Sequence, residues 1–206
     1  MEKRVIVIGH GSRELMETRK GSWEVFAHLN ELGKRQARKF AVDYHGMLIG
    51  CRIFATSPLI CAQETLAEIV DEMVLPKDFL DNVMISQEFW TFSPRDYLSN
   101  DPLATAQSLA LRDMTFAMAQ GLRFFRNGMN YILNAMSEIN GYTALCVSHP
   151  GPTDFLFAWA RHTCGNTEAF NEIEDLGPCE GMVLSFHQSR LIGFREIRSS
   201  PPAGAK

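Results

Sequence analysis

Six histidines are spread along this chain of 206 residues, and two of them, His10 and His149, stand where an imidazole can do chemistry. Each closes an apolar run and is followed within two residues by glycine: Val5-Ile6-Val7-Ile8-Gly9-His10-Gly11-Ser12 and Leu145-Cys146-Val147-Ser148-His149-Pro150-Gly151. An apolar, partly β-branched run of this length reads as a buried parallel strand, which places each histidine at the strand-to-loop junction. In open α/β sheets the crevice beyond the carboxyl ends of the strands is where ligands bind. An imidazole there can attack as a nucleophile or carry a proton. Two on one rim make a site, provided their strands are neighbours. The other four are read structurally. His28 and His45 are surface or capping groups, His162 complements a helix dipole at its carboxyl end, and His187 carries no motif.

The elements that must position the two histidines alternate in type. After the first strand, Leu29, Leu32, Gln36, Phe40 and Tyr44 define a helical face with Ala37 and Ala41 beside it. Leu48 to Ala55 predicts a second strand, and Thr56-Ser57-Pro58 predicts a capped helix start with apolar positions from Ala62 to Met73. Asn82 to Ile85 is a short strand ending near Glu88. The aromatic run Phe89-Trp90-Thr91-Phe92 opens a turn-rich stretch. A long helical pattern then covers Ala104 to Ile139, with breaks expected at Gly121 and Gly128. Thr143 to Val147 carries the second histidine, and Thr153 or Asp154 can cap the helix beyond it. Gly181 to Phe186 and Leu191 to Ile197 read as a hairpin turning at Gln188-Ser189. This alternation predicts a three-layer α/β/α sandwich around a mainly parallel sheet. It gives one domain over residues 1–198, with a helical insertion at about 89–140 over the site and a disordered tail at 199–206.

Bulk composition narrows the partners. A hydrophobic content of 46% with 21% charged residues is that of a globular domain, and a net charge of −4 offers no basic footprint for nucleic acid or an anionic membrane. No apolar stretch reaches membrane-spanning length. Met1-Glu2-Lys3-Arg4 leads straight into a strand, unlike a secretory leader. Cys51, Cys61, Cys146, Cys164 and Cys179 are odd in number and contain no Cys-x-x-Cys pair, so reduced thiols and a cytoplasmic location are expected.

Several segments together resemble the histidine phosphatase superfamily, the phosphoglycerate mutase-like proteins. Strand–His-Gly comes first. Leu29-Asn30-Glu31-Leu32-Gly33-Lys34-Arg35-Gln36-Ala37 is similar to the family's Leu-Thr-x-x-Gly-x-x-Gln-Ala helix. Ser57-Pro58-Leu59-Ile60-Cys61-Ala62-Gln63-Glu64-Thr65 is similar to its Ser-Pro-Leu-x-Arg-Ala-x-x-Thr segment, and Val147-Ser148-His149 stands at its second histidine. The resemblance spans roughly residues 4–197 in order. It implies that His10 is a nucleophile forming a phosphohistidine and that His149 stabilises charge on the phosphoryl oxygens. It makes Glu88 the candidate acid for the leaving oxygen, with Asp81 and Asp96 as competitors. No cofactor and no metal are expected. A site of His10, His149 and a carboxylate as metal ligands is the alternative, and local spacing does not support it.

Two departures bear on activity. The family's first motif is Arg-His-Gly, and Gly9 replaces the arginine. Its second clamping arginine falls at Cys61. Phosphoryl transfer depends on positioning and on stabilising spread negative charge, so two lost guanidinium groups cost orders of magnitude in rate. Arg13, Arg19 and Lys20 follow His10 in a polar loop, where they are either replacement cations or solvated surface charges. The amides of Gly11 and Ser12, with Arg13, are the candidate phosphate-binding groups. The expected ligand is a small phosphorylated or otherwise anionic molecule. Two functions follow: a divergent phosphatase acting on a small phosphoester, or an inactive pseudophosphatase that binds or regulates. A mutase, which holds a doubly anionic ligand through two half-reactions, fits so few positive charges less well.

Overall fold

The computed structural model describes residues 2–14, 27–75, 83–86, 114–139, 142–149, 152–166, 169 and 176–199. Among these, six strands form one mixed sheet: β1 (Glu2–Gly9), β2 (Cys51–Thr56), β3 (Met84–Ile85), β4 (Thr143–Ser148), β5 (Gly181–His187) and β6 (Arg190–Ile197). Their order is β3-β2-β4-β1-β5-β6. β3, β2, β4 and β1 pair in parallel, while β5 lies antiparallel to both β1 and β6. The sheet is therefore mainly parallel, as the alternation of elements predicts. The β5–β6 hairpin turns at Gln188-Ser189, with Gln188 at φ 55.

The uninterrupted apolar runs of β1 and β4 have a plain cause: both faces of these strands are covered. Five helices lie on the sheet among the described residues: α1 (Glu31–Asp43), α2 (His45–Leu48), α3 (Ile60–Glu72), α4 (Met114–Glu138) and α5 (Pro152–Thr163). Ile6, Ile8, Leu145 and Val147 pack with Phe40 of α1 and Leu66 of α3. The alternate residues Val5, Val7, Ala144 and Cys146 pack with Ile132 and Met136 of α4 and Phe157 of α5. Each large aliphatic chain buried in this way contributes about 1.5–3 kcal/mol. The arrangement is a three-layer α/β/α sandwich.

Several local expectations are corrected. α4 runs unbroken through Gly121 and Gly128. A glycine costs a helix about 1 kcal/mol, and burial of Met129, Ile132, Leu133 and Met136 against the sheet outweighs that. Leu48 closes α2 instead of opening β2. α3 begins at Ile60, later than the Thr56-Ser57-Pro58 signal, with extended Leu59 at its N-cap and no side chain capping it. Proline disfavours a helical residue before it, and here it keeps the chain extended past Ser57. Pro152 opens α5 at the position where its missing N–H costs nothing, so Thr153 and Asp154 lie inside the first turn rather than capping it. Leu32 is exposed, although the periodicity puts it on the buried face. Ser199, assigned to the tail, donates its N–H and hydroxyl to Glu180 at 2.9 and 2.7 Å. The aromatic run 89–92, the first part of the expected insertion and residues 200–206 lie outside the described residues.

The phase of α1 explains Leu32. Gly33, Ala37, Phe40 and Ala41 form its buried face because Gly33 lies directly on the loop after β1. A Cβ on Gly33 would stand 1.9 Å from the carbonyl oxygen of Ser12, and one on Gly11 would stand 2.6 Å from that of Gly33. The two backbones touch where the glycines meet. Gly33→Ala is therefore expected to lower unfolding stability by about 1–3 kcal/mol in a urea melt, as overpacking does. Gly46→Ala, with nothing within 4 Å of the added carbon, is the control and should not destabilise. Equal behaviour of the two variants would show that the Gly11–Gly33 approach is not tight.

Candidate active site

Parallel register settles whether the two histidines meet. Gly9 pairs with Ser148 at the last rung between β1 and β4, so His10 and His149 leave adjacent strands at the same level of the rim. β2 ends beside them: Thr56 pairs with Val147, and the Ser57 N–H donates to the Val147 carbonyl at 3.0 Å. Ser86, just past β3, donates its N–H to the Thr56 carbonyl at 3.1 Å and carries the chain to the same edge.

His10 is 7% exposed, and its Nδ1 lies 2.7 Å from the carbonyl oxygen of Gly11. A carbonyl only accepts, so the proton resides on Nδ1 and the Nε2 lone pair remains available. Burial holds the His10 pKa below its ordinary value. The Gly11 contact opposes this shift and the Arg13 charge reinforces it. His149 is fixed through its carbonyl, which accepts the Thr153 hydroxyl at 2.8 Å. Its Nε2 is buried and has no hydrogen-bond partner among the described residues. Burial first, then the charges of His10 and Arg13, push its pKa down to about 3. Two neutral imidazoles thus sit side by side, one with a free lone pair and one with an unpaired buried nitrogen.

The loop between β1 and α1 is tied down atom by atom. Gly11 donates its N–H to Thr65 Oγ1 at 3.0 Å, and Ser12 donates its own to Gln36 Oε1 at 2.8 Å. Arg13 forms an antiparallel bridge with Leu29, and the Asn30 side chain donates to the Arg13 carbonyl at 3.1 Å. Asn30 also caps α1, accepting from the Gly33 N–H at 2.8 Å. Glu64 accepts from the Leu29 N–H at 2.7 Å with one oxygen and contacts His28 Nδ1 at 2.6 Å with the other. The amides expected to cradle phosphate at Gly11 and Ser12 are therefore already engaged. Arg13 differs, because its positive charge reaches His10, His149 and Cys61 alike.

The two departures from the family motif are both buried. Gly9 donates its N–H to the Glu180 carbonyl at 2.9 Å. Cys61 is wholly buried, and that burial pushes its thiol up to about 11 against the opposing charge of Arg13. It is a neutral thiol, no nucleophile. Glu88, Asp81, Asp96, Arg19 and Lys20 lie outside the described residues. Among the described residues no group of three or more His, Cys, Asp or Glu is placed to hold a metal ion. All five cysteines are free, and only Cys164 is exposed. No described helix is long and apolar enough to cross a membrane.

Sequence reasoning placed Gln36 on a helix face and gave no role at the site to Gln36, Thr65 or Asn30, although all three lie in the motifs that carry the resemblance. Their function is to hold the backbone at residues 11–13. The His28–Glu64 contact left no sequence signal, since it joins residues 36 apart.

Both histidines take up a proton more readily when the chain is unfolded, near pH 6.5. The unfolded state then binds more protons below that pH, so stability should fall as pH drops from about 6.5 toward about 3. His149→Gln should flatten this slope in urea midpoints measured from about pH 7.5 to about pH 4. A wild-type profile already flat over that range would contradict the neutral, buried imidazoles.

No family model and no curated protein matches the chain; solved structures do. It is similar to mycobacterial hydrolase 2, with a TM-score of 0.68 at 17% identity, covering 99% of this chain and 94% of that one. A mycobacterial glucosyl-3-phosphoglycerate phosphatase in complex with inorganic phosphate superposes with a TM-score of 0.63 at 17% identity over 95% of each chain. A putative alpha-ribazole-5'-P phosphatase from Escherichia coli gives 0.56 at 18% identity over 96% of each. With its parallel strands β1 and β4 ending one residue before His10 and His149, and with these structural neighbours, the chain has the phosphoglycerate mutase-like fold.

Proposed function

We propose that this protein is a phosphatase that hydrolyses a small phosphoester through a phosphohistidine on His10. The observation that carries the reading is the pairing at the rim: a neutral His10, with its proton held on Nδ1 by the Gly11 carbonyl, beside a neutral His149. In the first step Nε2 of His10 attacks phosphorus, the N–P bond forms and the bond to the leaving oxygen breaks. Glu88, two residues beyond Ser86, protonates that oxygen. Glu88, now a carboxylate, takes a proton from a water as that water attacks phosphorus; the N–P bond breaks, phosphate leaves and the electron pair returns to Nε2 of His10. Negative charge spreads over the phosphoryl oxygens in both steps, and it favours a proton on His149, which then donates from Nε2.

Arg13 supplies the fixed positive charge that Gly9 and Cys61 do not. Its backbone is pinned by Leu29 and Asn30, and its charge is felt at both imidazoles. Loss of the arginines at positions 9 and 61, with Arg13 the candidate replacement among the described residues, predicts a slow enzyme and favours transfer of a single phosphoryl group to water over a mutase cycle. The phosphate-bound structural neighbour supports a phosphorylated ligand. The reduced cysteines support a cytoplasmic setting.

Hydrolysis of a generic aryl phosphate, followed from acidic to neutral pH, tests this directly. His10→Ala should abolish release of phosphate. Arg13→Ala should lower kcat/KM by about 10²–10³-fold, the usual loss for one preorganised charge-stabilising group. Identical background in wild type and His10→Ala would remove the catalytic reading and leave a ligand-binding pseudophosphatase.

A further inference from the structure

We propose that Ser57 and the uncapped first turn of α3 form a second anion-binding wall of this site, with the Ser57 hydroxyl donating to a phosphoryl oxygen of the bound ligand. The inference rests on the phosphate reading above and adds a binding group that the motif comparison does not assign.

Ser57 is 0% exposed, yet its Oγ has no hydrogen-bond partner among the described residues. Buried hydroxyls are nearly always paired, because stripping one of water without replacing the bond is costly. The only other buried side-chain polar atom in this condition among the described residues is His149 Nε2. These two atoms belong to neighbouring strand ends. Ser57 is the first residue past β2, His149 the first past β4, and the Ser57 N–H to Val147 carbonyl bond joins those ends at 3.0 Å. Two orphaned groups on one short stretch of rim have a common explanation in a ligand that satisfies both.

The helix that follows adds to this. α3 is 13 residues long, its N-cap Leu59 is extended, and no side chain accepts from its first turn. Helix amino termini favour anions through their unpaired N–H groups and the aligned peptide dipoles. Cys61 occupies the second position of this helix, where the related motif has a guanidinium. Replacing a long cation by a buried thiol leaves hydroxyl and amide donors to do part of the work of charge.

The full-length chain is titrated with inorganic phosphate and with vanadate by calorimetry, and its thermal unfolding is recorded with and without each. Ser57→Ala should weaken binding of both anions about tenfold, the scale of a hydrogen bond to a charged group. Without ligand the same variant should unfold at an equal or higher temperature, since it removes a group that has no partner. A lower unfolding temperature without ligand would mean the hydroxyl is paired inside the protein, and would overturn the role. Binding weakened in Arg13→Ala but unchanged in Ser57→Ala would overturn it too, leaving the phosphate reading intact. No binding of either anion by wild type would remove the phosphate reading and this role together.

Discussion

When two parallel strands share the register Gly9↔Ser148, their chains leave the sheet at one level, and the next residue of each is driven into the same small space. His10 in that space is buried, and the Nε2 of His149 is closed off from solvent. Everything chemical about the site follows from this placement. An imidazole that has lost its water prefers to be neutral, and a second imidazole beside it strengthens the preference. The sheet thus delivers two uncharged nitrogen bases to one point. It does so by means of apolar residues that never touch a ligand.

Such a site is electrostatically lean. At the two positions where the sequence resemblance puts arginines, this chain has the buried residues Gly9 and Cys61. Among the described residues the other groups near the site are spread out: Arg13 on a pinned loop, the amino terminus of α3, and the unpaired Ser57 hydroxyl and His149 Nε2. These are weaker individually than a bidentate arginine. The helix amino terminus and the Ser57 hydroxyl have the merit of rigidity, since neither depends on fixing a long side chain in place.

The parts of this architecture that could be read from the chain were those dictated by burial alone. Val5–Ile8 of β1 and Ala144–Val147 of β4 are apolar without interruption because both faces pack, and such runs announce themselves. Signals that rest on local chemistry were less faithful. Ser57 and the neighbouring Thr56 have the right chemistry to cap a helix, but Pro58 holds the chain extended until Ile60. Leu32 fits an apolar stripe, but the phase of α1 is set by the contact between Gly33 and the Ser12 backbone, which periodicity cannot contain. Gly121 and Gly128 would break an isolated helix and do not break one lying on a sheet. At the site, the two histidines were legible from their position at strand ends. The atoms holding Gly11 and Ser12 were not, because Thr65 and Gln36 come from other elements and act through single hydrogen bonds.

The clasp between Ser12–Glu14 and His28–Asn30 has a meaning beyond the geometry of His10. Glu14 donates its N–H to the His28 carbonyl and Asn30 donates its own to the Ser12 carbonyl, so the chain is fastened on departure and again on return. Whatever lies between residues 14 and 27 starts and finishes at the same fixed post, which Glu64 and Thr65 brace from α3. The position of His10 is set by the contacts on either side of residues 15–26 and does not depend on how many residues separate them. Evolution can therefore lengthen, shorten or rewrite that stretch without moving the imidazole.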